Sequence, residues 1–262
     1  MDKTIVDNFS RSSGRYDQFA DIQKLLQDDL IDWIKKDGIS YQQILDIGCG
    51  TGRLISDLAK DFPLAQVFGL DISFAMARIS RAKTSSCVVA DAGQLPFHSG
   101  SFDLIVSNAA YQWVGDLEKA FHQAYCLLKP GGFFFFNCFT DKTLEGLRKC
   151  FKIETNSLPD KELIISSLSR SGFNSWEIKE KSLNKNFSDL YAILSWLKNI
   201  GANRLAAKPL FLTPARLAMH NDVYCRQHRI DKEVYANFEI IMVKAERKIG
   251  TDTFSRTKSV CP

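Results

Sequence analysis

The segment Asp46-Ile47-Gly48-Cys49-Gly50-Thr51-Gly52 sets a carboxylate directly ahead of three alternate glycines. Glycines at this spacing let the backbone pass close to a ligand with no Cβ in the way, and a carboxylate at the mouth of such a loop can hold an ammonium group. Three more polar groups follow at intervals. Asp71, in Gly69-Leu70-Asp71-Ile72-Ser73, can accept hydrogen bonds from both hydroxyls of a ribose. Asp91, in Ala90-Asp91-Ala92, can receive an adenine amino group, and Asn108, in Ser107-Asn108-Ala109-Ala110, offers an amide beside the reacting end of a ligand. The glycines run GxGxG, with Arg53 where a dinucleotide site needs its third glycine. Asp46 would repel a pyrophosphate. The set therefore suits S-adenosylmethionine, which carries an adenosine and an ammonium but no phosphate, better than a nicotinamide dinucleotide.

These side chains work together only if one scaffold brings them to one edge. Short apolar runs at 44–47, 66–70, 87–90, 102–107 and 132–138 read as strands, separated by helical segments at 54–60, 74–82 and 117–128. Strands alternating with helices at this spacing predict a parallel sheet with a Rossmann-like layout, and each polar group above falls at the carboxyl end of a strand, where open parallel sheets bind ligands. Residues 1–16 are polar and read as an arm, and 18–36 as an amphipathic helix. Beyond residue 141 we expect a helix at 161–170, strands at 173–183 and 235–245, and between them, over 184–232, a mainly helical insertion too long for a hairpin loop. That insertion is expected to act as a lid, residues 38–183 and 233–249 to form the core, and 250–262 to be a disordered tail.

The motifs DIGCGTG, GLDIS, VADAGQLPF, FDLIVSNAAYQW and LLKPGG, in this order over residues 40–139, resemble the class I methyltransferases. The resemblance implies a seven-stranded, mostly parallel α/β sheet whose last strand runs antiparallel, with the lid inserted between the last two strands. It implies an S-adenosylmethionine site drawn from Gln23, Asp46, Gly48, Cys49, Gly50, Gly52, Asp71, Ile72, Met76, Asp91, Ala92, Asn108 and Ala109. The arm motif Phe9-Ser10-Arg11-Ser12-Ser13-Gly14-Arg15-Tyr16-Asp17, the Tyr111-Gln112-Trp113 segment and Leu197-Lys198-Asn199-Ile200-Gly201-Ala202-Asn203 further resemble the malonyl-acyl-carrier-protein O-methyltransferases of biotin synthesis. That likeness implies methyl esterification of the free carboxylate of a malonyl thioester, on acyl carrier protein or coenzyme A. Tyr16, Gln112 and Trp113 would position the reactants, with no general base and no metal. Arg11 and Arg204 are candidates for the acceptor carboxylate, with Arg15 and Gln112 beside them.

Composition bounds the alternatives. The 45% apolar and 24% charged fractions are those of a globular protein, and no apolar run is long enough to span a bilayer. The N-terminus lacks the pattern of a secretory signal, and the seven cysteines, without a CxxC pair, read as reduced thiols of a cytoplasmic protein. Residues 1–128 hold 12 Lys/Arg against 16 Asp/Glu, while 129–262 hold 22 against 14. The basic cluster Lys185, Lys198, Arg204, Lys208, Arg216, Arg226 and Arg229 is a candidate surface for an acidic carrier protein. No nucleic-acid-binding module is appended, so a nucleic-acid partner is not expected. Two other readings stay open: a methyltransferase of another small metabolite, such as a quinone precursor or dicarboxylic acid, and a non-catalytic S-adenosylmethionine-binding protein.

Overall fold

The structure, a computed structural model, describes residues 3–84, 86–153, 158–202 and 213–250. Its centre is made by strands whose residues are apolar almost without interruption, because a parallel strand is covered on both faces. These are β1 (Gln43–Ile47), β2 (Gln66–Asp71), β3 (Cys87–Val89), β4 (Phe102–Asn108) and β5 (Leu128–Phe139). They pair in parallel in the order β3-β2-β1-β4-β5. The long β8 (Glu233–Glu246) lies antiparallel between β5 and β6 (Trp176–Phe187), which closes the edge. A two-residue strand, β7 (Arg229–Ile230), pairs with the start of β8 and lies off this seven-strand path.

The pleat divides the core in two. Ile44, Leu104, Val106 and Phe135 face one way, against Leu26, Leu30 and Ile34 of α3 (Asp21–Lys36) and Leu54 and Leu58 of α4 (Arg53–Asp61). Leu45, Ile105, Phe134 and Phe136 face the other way, against Phe121 and Ala124 of α6 (Leu117–Leu127) and Ile164 and Leu168 of α8 (Lys161–Ser171). Several helix starts are capped by the side chain of the residue just before them. Ser73 accepts from the Met76 N–H at the start of α5 (Phe74–Ser80), Asp116 from Lys119 at α6, and Asp160 from Leu163 at α8.

Three differences from the sequence reading bear on the site. The polar arm is helical, as α1 (Lys3–Ser12) and α2 (Tyr16–Phe19). A further short helix, α7 (Glu145–Cys150), follows β5. The segment between β6 and β8 holds α9 (Leu190–Asn199), α10 (Pro214–Gln227) and β7, while 184–187 belong to β6. Among the described residues no helix is long and apolar enough to cross a membrane. Residues 251–262 lie outside the described residues, as do Arg204 and Lys208.

Candidate active site

The turn after β1 reverses tightly enough that the N–H groups of Gly48 and Cys49 both donate to the Leu70 carbonyl, at 2.7 and 2.9 Å. Gly48 sits at φ +77°, and a Cβ there would stand 2.4 Å from the Cβ of Ala110. Nothing larger than glycine leaves this wall open. Beneath the turn, Asp46 is fully buried, and neither of its carboxylate oxygens has a hydrogen-bond partner among the described residues. Burial, with the nearby Asp71 and Cys87, pushes its carboxyl well above the usual carboxylate range. Asp71 is buried as well, but its oxygens accept from the N–H groups of Gly50 (2.9 Å) and Ser73 (2.7 Å). Burial raises its pKa, and these two backbone donors oppose the rise.

A cavity of ≈ 680 Å³ runs along the carboxyl ends of β1, β2 and β4, lined by Gly48, Gly50, Asp71, Ile72, Met76, Ala92, Asn108 and Ala109 among others. A smaller one beside it reaches Gln23, Asp46, Cys49, Thr51 and Asn108. A third, of ≈ 720 Å³, is walled by Gln112, Phe139, Leu144, Trp196, Leu197 and Phe238. Phe9, Tyr16, Ala109 and Trp113 line both large cavities and form the junction between them. Ala109 takes φ +52° there. The residue is held in that uncommon conformation by Asn137, whose side-chain and backbone oxygens both accept from the Ala109 N–H (2.9 and 3.1 Å), and by Gln112, which donates to its carbonyl at 2.6 Å. Asn137 also donates to Asn108 Oδ1 at 2.9 Å, and Asn108 donates to the Gln23 carbonyl at 3.0 Å.

The arm is fastened across this junction. Ser10 and Ser73 share a hydroxyl hydrogen bond of 2.9 Å, Thr51 donates to Asp17 at 2.6 Å, and Trp196 of α9 donates to the Phe19 carbonyl at 2.8 Å. Phe9 packs edge-on against Tyr16 and Trp113, with ring centroids 6.4 and 5.8 Å apart. Burial, then Asp71 and Asp17, pushes the Tyr16 phenol above its ordinary range.

Most residues singled out in the sequence therefore line one of three adjoining cavities, and a few do not. Gly52 lines none of them; its α-carbon faces Ser80, with a Cβ there only 2.6 Å from the Ser80 hydroxyl. Cys49 lines the smaller cavity, and its thiol lies 3.7 Å from that of Cys87. Asp91 lies in a neighbouring cleft with Gln94 and Leu95. Arg11 and Arg15 are exposed and line neither large cavity. Asn137, Trp196 and Arg148 are parts of the site that the sequence reading did not name, and Phe9 entered that reading only within the arm motif. Only Asn137 carried a signal, as a lone amide after the run Phe133–Phe136 in an otherwise apolar strand.

The arrangement fits S-adenosylmethionine on two structural grounds: the Gly48 turn is open only because it lacks a Cβ, and Asp46 is a buried carboxylate with no partner among the described residues. Asp46 and Gln23 would hold the amino-acid end and Asp71 the ribose. Such a fold and site define an S-adenosylmethionine-dependent methyltransferase, and residues 45–136 match the model of the methyltransferase domain. The chain is 32% identical over 219 residues to the malonyl-[acyl-carrier protein] O-methyltransferase of Geobacter sulfurreducens, covering 77% of this chain and 82% of that one. It belongs to the family of the malonyl-[acyl-carrier protein] O-methyltransferases. Among solved structures it shares its fold with a candidate methyltransferase of Bacillus halodurans (TM-score 0.62, 18% identity, 85% of this chain and 100% of that one). It shares it also with phosphoethanolamine N-methyltransferase 2 of Haemonchus contortus bound to S-adenosyl-L-methionine (TM-score 0.54, 20% identity, 85% of this chain and 53% of that one).

Proposed function

We propose that this chain esterifies the free carboxylate of a malonyl thioester, carried on acyl carrier protein, in biotin precursor synthesis in the cytoplasm. The observation that carries the reading is the acceptor cavity. Among the described residues lining it there is no histidine, lysine, cysteine or carboxylate, and the Tyr16 phenol is held above its ordinary range. Methylation of an amine or hydroxyl must dispose of a proton, and this wall has nothing to take it near neutral pH. A carboxylate is ionised already and attacks as it stands.

Bound S-adenosylmethionine supplies a methyl group activated by its sulfonium. The chain's own work is positioning and exclusion of water. Tyr16 and Trp113 present aromatic faces at the junction, suited to a cationic centre. Gln112 fixes the Ala109 carbonyl, and through it the left-handed turn on which both cavities depend. The arm and α9 cover the junction through the Trp196–Phe19 bond. The relatives' names give acyl carrier protein as the carrier, and Lys198, Arg216, Arg226 and Arg229 lie exposed on or beside α9 and α10, a basic surface for an acidic partner.

The test is to incubate the protein with S-adenosylmethionine and malonyl-acyl carrier protein and locate the methyl group on the acceptor by mass spectrometry. A base-labile methyl ester on the malonyl group supports the reading. A methyl group on nitrogen or carbon, or none, contradicts it.

A further inference from the structure

Arg148 projects from α7 into the wall of the acceptor cavity, beside Phe139, Leu144, Leu197 and Phe238 in its lining. It is the one cation among the described residues of that wall. Its two terminal nitrogens donate to the backbone carbonyls of Thr143 and Asp141. Both partners are neutral, and among the described residues no carboxylate forms an ion pair with it. Glu145, one turn away, is engaged by Lys149 at 2.8 Å. Burial lowers the guanidinium's pKa, and the charges of Asp141 and Glu145 only partly offset this. Five N–H donors are available to a guanidinium, so two carbonyls leave donors free. A half-buried cation in a largely apolar wall, with no ion-paired carboxylate among the described residues, is costly unless an anion completes it. The two carbonyls also fix the planar fork in place, and that shape matches a carboxylate.

We propose that Arg148 is the specificity-determining residue for the acceptor, receiving the free carboxylate of the acyl group on one oxygen and leaving the other as the nucleophile. This rests on the carboxylate-methylation reading above. It assigns to α7 the role that sequence reasoning gave to Arg11, which is exposed outside the cavity, and to Arg204, which lies outside the described residues.

The experiment measures binding, apart from turnover. Malonyl-pantetheine and its neutral monomethyl ester are titrated calorimetrically into protein saturated with S-adenosylhomocysteine, for the wild type, R148Q and R148K. The wild type binds the acid more tightly than the ester. R148Q loses about 10- to 150-fold in affinity for the acid, the worth of one hydrogen bond to a charged group. Its ester affinity stays unchanged. R148K, which keeps the charge without the fork, recovers part of the preference. A merely structural arginine would lower acid and ester affinity together with the melting temperature, and that result overturns the proposal. So does unchanged acid affinity in R148Q, or a wild type that does not distinguish acid from ester. A wild type that prefers the acid through Arg148, yet forms no methyl ester, leaves the anion site standing and removes the proposed reaction.

Discussion

Asp46→Asn is expected to stabilise the ligand-free protein while weakening its hold on the cofactor. The two effects share one cause. Asp46 is buried, neither of its oxygens has a partner among the described residues, and its carboxyl is pushed well upward. A carboxyl whose pKa is raised on folding contributes stability below its unfolded pKa, and that contribution is lost as pH rises through the folded pKa. Near neutral pH the charge is therefore a liability. Each unit of upward displacement is worth about 1.4 kcal/mol, and a kilocalorie moves the melting temperature of a chain this size by roughly 2–4 °C. Asn keeps the shape and removes the charge, so the ligand-free variant melts higher than the wild type at neutral pH, and the difference closes under acid conditions. With cofactor the sign reverses. Losing a charge-assisted hydrogen bond costs about 1.5–3 kcal/mol, or roughly a 10- to 150-fold rise in Kd. Wild-type affinity also falls as pH drops through the raised pKa, and this dependence is absent from the variant. Differential scanning calorimetry and isothermal titration across pH read all three effects. A variant that is less stable without ligand, or that binds S-adenosylmethionine as the wild type does, would show that Asp46 is structural.

Three further outcomes are expected. Gly201 sits at φ +76°, and a Cβ there would meet the Ser12 hydroxyl at 2.8 Å and Phe9 at 2.9 Å; Gly201→Ala costs about 1–2 kcal/mol in backbone conformation and forces the arm outward, so the melting temperature falls and KM for the acceptor rises in steady-state assays. Tyr16→Phe keeps its rate within a few-fold, because the phenol is held above its ordinary range and supplies no base, whereas Tyr16→Ala, which opens the junction, loses most of kcat/KM. Reversing the charges of Lys198, Arg216, Arg226 and Arg229 together weakens binding of malonyl-acyl carrier protein in surface-binding assays and leaves malonyl-coenzyme A turnover nearly unchanged.

How much of this was legible in the sequence depended on how local its cause was. The five parallel strands and the Asp46–Gly52 loop could be read because period, glycine spacing and strand-end polarity are written in consecutive residues. The start of β5 was not, since Lys129-Pro130-Gly131-Gly132 looks like a turn, yet Leu128 already pairs with Phe102 across an irregularity in register. The end of β6 was missed for a related reason. Asn184, Lys185 and Asn186 are polar, but an edge strand tolerates them while pairing with Asn237, Ala236 and Tyr235. Helix α1 is polar along most of its length and is held by tertiary contacts, through Ser10 to Ser73 and through Phe9 to Trp113, that no window of residues reveals. Arg148 was invisible in the same way: only folding places this one arginine among many in an apolar wall.

The most direct measurement of the central claim is S-adenosylhomocysteine release with malonyl-acyl carrier protein, with acetyl-acyl carrier protein and the malonyl methyl ester alongside. The account predicts release with the free malonyl group alone, since only that acceptor brings its own negative charge to a junction that supplies no base. Comparable release with the acetyl thioester or the ester would contradict it, as would none with the malonyl thioester from protein that binds the cofactor.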